Sequence, residues 1–243
     1  MVIAPVALPE KQRLGVLKSA LVADTKREPA WDGLPIDRVA IDDRKHDVAS
    51  ERAVLNPFSI LLKLSVATDQ PRPRALVVMP MSGGHVLIVR DLIYGLLQTH
   101  DVAVLDWINA RYVPLSAGRF GFRENVASTI DALRHLGPGI HLVGICQSGP
   151  IAALAASALH QAKAVQRPVS LALLCSPIDP EAEQTRVASM LAGTSESWLA
   201  GSMLGPVPSS YVGHGRMVYG AELQQARLLQ YLSLIHISEP TRR

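Results

Sequence analysis

The sequence predicts an α/β fold, a mostly parallel sheet with helices on both faces. Three observations carry that prediction. Short continuous apolar runs recur between residues 75 and 174, each bounded by turn residues, as buried parallel strands are. Stretches with apolar residues at helical spacing separate them. The resulting alternation of strand and helix is joined by right-handed crossovers that place helices on both faces. A chain of 243 residues with 48% hydrophobic content can bury one sizeable core.

In chain order, residues 1–50 are charged, proline-bearing and weakly periodic, and read as an N-terminal extension with one short helix near residues 11–23. Ser59 to Val66 reads as a strand, and Gln70-Pro71-Arg72-Pro73 as a turn. Ala75 to Met79 is the first buried parallel strand, Val86 to Gln98 a helix, and Val102 to Leu105 the next strand. Phe122, Val126, Ile130 and Leu133 fall on one helical face, and Gly137-Pro138-Gly139 ends that helix. Ile140 to Ile145 is a strand, Gly149 to His160 a helix, and Val169 to Leu174 another strand. The core therefore spans residues 51–180. Beyond Pro177 glycine, serine and proline become frequent, and residues 181–232 read as the start of a lid or cap over the strand ends.

The sharpest local signal is Gly144-Ile145-Cys146-Gln147-Ser148-Gly149, between a strand and a helix. A strand, a tight turn with small residues on both sides, and a helix make a nucleophile elbow. Gly144 and Ser148 supply the small positions if Cys146 is the nucleophile; with Ser148 as nucleophile they would be Cys146 and Pro150, a poorer fit. A helix beginning just after Cys146 favours a thiolate. One oxyanion donor is expected from the Gln147 backbone N–H. The second is expected from the loop after the Ala75 strand, at Ser82 and Gly83, where glycines let an N–H turn toward a developing charge.

The remaining candidates are weaker. His85 reads as a residue of a first helical turn, and Asp106 as a turn cap, a partner of Arg111 or a pocket residue. A thiolate needs an imidazole and an orienting carboxylate, which follow the nucleophile in this chain order. His160, His214 and His236 follow Cys146, and none sits where a strand-end loop is expected. Asp179, just past the Val169 strand, is the candidate acid.

Composition excludes several classes. The net charge is +3, from 24 basic and 21 acidic residues scattered along the chain, so no nucleic-acid partner is expected. Two cysteines, Cys146 and Cys175, form neither a disulfide framework nor a metal site, and neither metal nor cofactor is expected. The first residues lack a charged then apolar leader pattern, and no apolar run nears the roughly 20 residues of a membrane span. A reducing cytoplasm is the expected compartment.

Longer blocks resemble a known family. Pro80-Met81-Ser82-Gly83, His100-Asp101-Val102, Asp106-Trp107-Ile108-Asn109-Ala110-Arg111, Val113-Pro114-Leu115-Ser116, Gly118-Arg119-Phe120, His135-Leu136-Gly137-Pro138, Cys146-Gln147 and Pro177-Ile178-Asp179 resemble intracellular polyhydroxyalkanoate depolymerases, as does the stretch from Val207-Pro208 to Val218-Tyr219. The resemblance covers roughly residues 54–231. It implies an α/β-hydrolase fold and hydrolysis of stored poly(3-hydroxyalkanoate) by a Cys-Asp-His triad whose cysteine matches Cys146. It also implies a polymer or oligomer substrate and a storage-granule surface as partners. Two positions depart from the family: Ser148 stands where proline is usual, and Gly84 where histidine is usual. No residue matches the family's triad Asp and His, so the expectation is a sheet incomplete at the C-terminus. Residues 233–243 resemble translated sequencing-adapter read-through and are expected to be a non-native tail. The alternatives are a polyhydroxyalkanoate synthase-like acyltransferase and a non-catalytic granule-binding protein.

Overall fold

The computed structural model describes residues 34, 36–68, 70–81, 89–179, 182, 189, 193–220 and 223. Seven strands form one sheet: β1 (Arg38–Ile41), β2 (Arg44–Asn56), β3 (Ser59–Val66), β4 (Arg74–Val78), β5 (Asp101–Trp107), β6 (Ile140–Ile145) and β7 (Ser170–Leu174). Their spatial order is β1-β2-β3-β5-β4-β6-β7. β3 runs antiparallel to both β2 and β5, while β5, β4, β6 and β7 are mutually parallel.

The parallel centre forms where the sequence is apolar on both faces. Within β4, Leu76 and Val78 pack on one side of the sheet and Val77 on the other. Helix α1 (Arg90–Leu97) covers the Val77 side through Ile93 and Leu97. Helices α2 (Phe122–Leu136) and α3 (Ser148–Gln161) cover the Leu76 side through Ala132, Leu133, Ala152 and Leu159. Among the described residues no helix is long and apolar enough to cross a membrane.

Two differences from the sequence reading have clear causes. Residues 38–50, read as part of an extension, form β1 and half of β2. The pair turns at Asp42 and Asp43, both at positive φ (47° and 62°), the conformation of a type I′ hairpin turn. β2 is exposed or half-exposed along its length, so no apolar alternation marks it. Helix α2 exists as predicted, but its buried face is Asn125, Ser128, Thr129, Ala132 and Leu133, whereas Phe122 is exposed. Small residues let α2 lie close against α3, whose buried face is also small (Gly149, Ala152, Ala155). Close approach outweighs the larger apolar stripe.

Candidate active site

The strand β6 ends at Ile145, and helix α3 begins at Ser148. Two residues must reverse the chain between them. Cys146 does so at φ 51°, a left-handed conformation that a side-chain-bearing residue adopts only under constraint. The constraint is visible. The Cys146 N–H donates to the Leu174 carbonyl at 2.8 Å, and its own carbonyl accepts from Gly149 N–H at 3.0 Å. Both flanking glycines are sterically required. A Cβ at Gly144 would lie 2.9 Å from the Ala152 Cβ and 2.9 Å from the Gly149 Cα. One at Gly149 would collide with Ser176.

Ser148 completes the turn from inside. It is 1% exposed. Its hydroxyl accepts from the Ile145 N–H at 2.7 Å and donates to the Val78 carbonyl at 2.6 Å. It ties the turn to the adjacent strand, and its oxygen is fully engaged. Cys146 and Gln147, by contrast, are exposed. A left-handed backbone, small flanks and an exposed residue at the tip are the geometry of a tight strand–turn–helix elbow.

Beside the elbow lies an open cleft of about 1250 Å³, built at the carboxyl ends of β4, β5 and β6. Gln147 reaches it from β6, Met81 from β4, and Asp106 and Trp107 from β5. Phe58, Phe120 and Trp107 form its aromatic wall, with ring centroids 4.7 Å apart for Phe58 and Phe120 and 5.5 Å for Trp107 and Phe120. The Trp107 indole N–H is anchored on the Met79 carbonyl at 2.7 Å.

The opposite wall comes from late in the chain. Helix α4 (Glu196–Met203) leads into a two-stranded ribbon, β8 (Gly205–Pro206) and β9 (Met217–Val218). Arg216 holds this ribbon to the rest of the molecule. Its guanidinium donates to the carbonyls of Val113, Pro114 and Gly118 at 3.2, 2.6 and 2.7 Å, and lies 5.0 Å from the Phe58 ring centre. Gly213 sits against the Ala110, Arg111 and Val113 carbonyls, where a Cβ would not fit. Tyr211 stacks on the Arg111 guanidinium at 5.0 Å.

The predicted site residues therefore separate. Cys146 stands at the elbow, and Gln147 lines the cleft. Asp179 is exposed beyond β7 and does not line the cleft. Ser82, Gly83 and His85 lie outside the described residues. Asp106 is buried, lines the cleft and caps the Trp107 N–H at 2.8 Å, as a turn cap does. Among the described residues no imidazole bonds to Cys146. His141 is the second residue of β6, at the opposite end from Cys146 and roughly 16 Å away at strand rise, and bonds Ser170 instead. His160 lies in the last turn of α3, and His214 is exposed on the ribbon's turn. Sequence reasoning missed Arg216 and Tyr211. Their partners lie about a hundred residues away, and no local spacing marks them. Asp106 to Arg111, Leu115 and Gly118 to Phe120 line the cleft.

No protein-family model matches the chain, and no curated protein matches it significantly. Solved structures similar to it include a Rhizomucor miehei esterase (16% identity, 79% of this chain and 59% of that one, TM-score 0.46). They also include LAE6, an alpha/beta hydrolase from the metagenome of Lake Arreo, Spain, as a Ser161Ala mutant (17%, 76% and 56%, TM-score 0.43). A third is brefeldin A esterase, a bacterial homologue of human hormone sensitive lipase (15%, 70% and 50%, TM-score 0.39). The chain spans between 50% and 59% of the length of these three structures. The sheet order, with β3 running antiparallel between β2 and β5, and the left-handed residue between β6 and α3 make this an α/β-hydrolase fold, with Cys146 at the tip of the turn.

Proposed function

We propose that this chain is the nucleophile-bearing part of a carboxylic ester hydrolase acting on intracellular poly(3-hydroxyalkanoate). One observation carries the reading: an exposed cysteine is held at φ 51° between a parallel strand and a helix, beside an aromatic-walled cleft. A buried packing cysteine needs neither the strain nor the exposure. The segment resembling the depolymerases, Asp106 to Phe120, supports the substrate, because it lines that cleft.

In this reading the Cys146 thiolate attacks the ester carbonyl carbon. A C–S bond forms, and the carbonyl electrons move to oxygen, cradled by the Gln147 N–H and by backbone of the Ser82–Gly83 loop. The tetrahedral adduct collapses, the C–O bond to the alcohol breaks, and the leaving oxygen takes a proton from a general acid. Water then adds to the 3-hydroxyacyl thioester, and the thiolate leaves. Asp179 is the carboxylate this reading assigns to orient the imidazole of the base. Granule association in the cytoplasm follows from the substrate.

The test is turnover of amorphous poly(3-hydroxybutyrate) granules and of a p-nitrophenyl acyl ester by the full gene product. Cys146→Ala is expected to lower both by about a thousandfold or more, as loss of a covalent nucleophile does, with an unchanged Tm. Retained hydrolysis would refute the assignment. Release of CoA from a 3-hydroxyacyl-CoA with no polymer hydrolysis would place the chain with the synthases. Granule co-sedimentation unaffected by Cys146→Ala, with no turnover, would make it a binding protein.

A further inference from the structure

The chain has two cysteines, and the proposed function uses one of them. The fold places the other beside it. β6 and β7 are parallel neighbours, with Gly144 opposite Leu173 and Ile145 opposite Leu174. The next pair in that register is Cys146 and Cys175. Three contacts hold the two strand ends together at the last ladder pair. The Cys146 N–H donates to the Leu174 carbonyl at 2.8 Å. The Ser176 hydroxyl reaches the Gly144 carbonyl at 3.4 Å. Ser176 also occupies the space that a side chain on Gly149 would need. Cys175 is thus bracketed by residues that both touch the elbow.

The two cysteines also share a backbone state. Cys146 has φ 51° and Cys175 φ 49°, and both are exposed and free. Neighbouring strands run about 4.8 Å apart, and disulfides join Cα atoms about 4.4–6.8 Å apart. A second accessible thiol next to a reactive one is what a resolving cysteine requires.

We propose that Cys146 and Cys175 form a reversible redox pair, with Cys175 as the resolving cysteine. A peroxide is the oxidant. The Cys146 thiolate attacks the peroxide O–O bond, giving Cys146 sulfenic acid and releasing the alcohol or water. The Cys175 thiolate attacks that sulfur, expelling hydroxide, which takes up a proton as water, and the S–S bond forms. Cys146 goes from thiol to disulfide, and the peroxide is reduced by two electrons. A dithiol reductant reverses the step by exchange.

The experiment needs no catalytic turnover, so it stands apart from the hydrolase reading. The full chain is treated with hydrogen peroxide, alkylated, digested without reductant and analysed by mass spectrometry. The expected product is an intramolecular Cys146–Cys175 link, with both free thiols lost together and both regained with dithiothreitol. In Cys175→Ser, Cys146 is expected to proceed to sulfinic acid, which dithiothreitol does not reverse. In parallel, a trivalent phenylarsenical, which bridges two close thiols, is expected to bind the wild type at least tenfold more tightly than either single serine variant. Oxidation at Cys146 that leaves Cys175 alkylatable, a link only between two chains, or arsenical binding unchanged by Cys175→Ser would each overturn the pair.

Discussion

The two ends of the parallel sheet carry polar groups of similar kinds, yet they are arranged in opposite ways. At the amino ends of β4 to β6, polar groups satisfy one another. Arg72 pairs with Asp101 at 3.2 Å and also donates to the Leu97 and His100 carbonyls. Asp101 accepts from the Val66 N–H, and His141 bonds Ser170 at 2.7 Å. His100 and His141 meet edge to face. At the carboxyl ends, Ser148 plays the same internal role, but Cys146 is held in a strained conformation and left facing solvent. Polar groups that consume one another hold strands in register, whereas an exposed residue outside such bonding stays open to solvent. Both ends of one strand, β6, show the contrast within six residues.

That contrast can be broken or sharpened by substitution. The largest effect in stability is expected from Gly144→Ala. Its new methyl would meet Ala152, Gly149 and the Ser148 carbonyl, backbone that cannot easily move. Overpacking of this kind costs about 1–3 kcal/mol, and here it also disturbs the turn. Denaturant unfolding is expected to show the loss, and iodoacetamide alkylation to show an altered rate at Cys146. Next comes Arg72→Met at the other end. It removes an ion pair that is only partly shielded and leaves two carbonyls and Asp101 to water, at about 1–2 kcal/mol. Its alkylation rate at Cys146 is expected to stay that of the wild type. A changed rate there would mean that the two ends are coupled and that the division of labour fails.

The smallest effect is a pH slope. Burial, then the nearby charges of His141 and Arg72, hold His100 below the ordinary histidine range. The unfolded chain therefore takes up the His100 proton first as pH falls. Stability is full above about pH 6.5, declines below it, and levels off once the folded state is protonated too. His100→Gln is expected to flatten that decline in a urea titration at pH 5 to 7. A slope unchanged by His100→Gln would assign the decline to other groups.

How much of this was legible in the sequence depends on the range of the physics involved. β3 to β6 were readable because burial writes apolar residues at neighbouring positions, and the elbow because sterics demand Gly144, Ser148 and Gly149 at fixed offsets; β7 carries the same apolar run although its residues are exposed. β1 and β2 were not readable, since β1 buries little beyond Val39 and β2 is exposed or half-exposed along its length, which imposes no apolar alternation; the one local mark was Asp42-Asp43. The buried face of α2 was misjudged because its partner is another helix with small residues, a property of the pair and not of either sequence alone. The proximity of Cys175 to Cys146 follows from the β6–β7 register, which twenty-odd intervening residues do not encode locally. Ser82 and Gly83 lie outside the described residues.

The Arg216 clamp has a bearing on how the cleft should be studied. Its charge is met by three carbonyl dipoles and an aromatic face, within a side chain that is almost wholly out of water. Added salt screens exposed charges within about a nanometre but acts little on buried contacts. The ribbon wall is therefore expected to keep its place from dilute buffer to molar salt. Any dependence of ligand affinity on ionic strength would then report the charge of the ligand itself, with the shape of the cleft held constant.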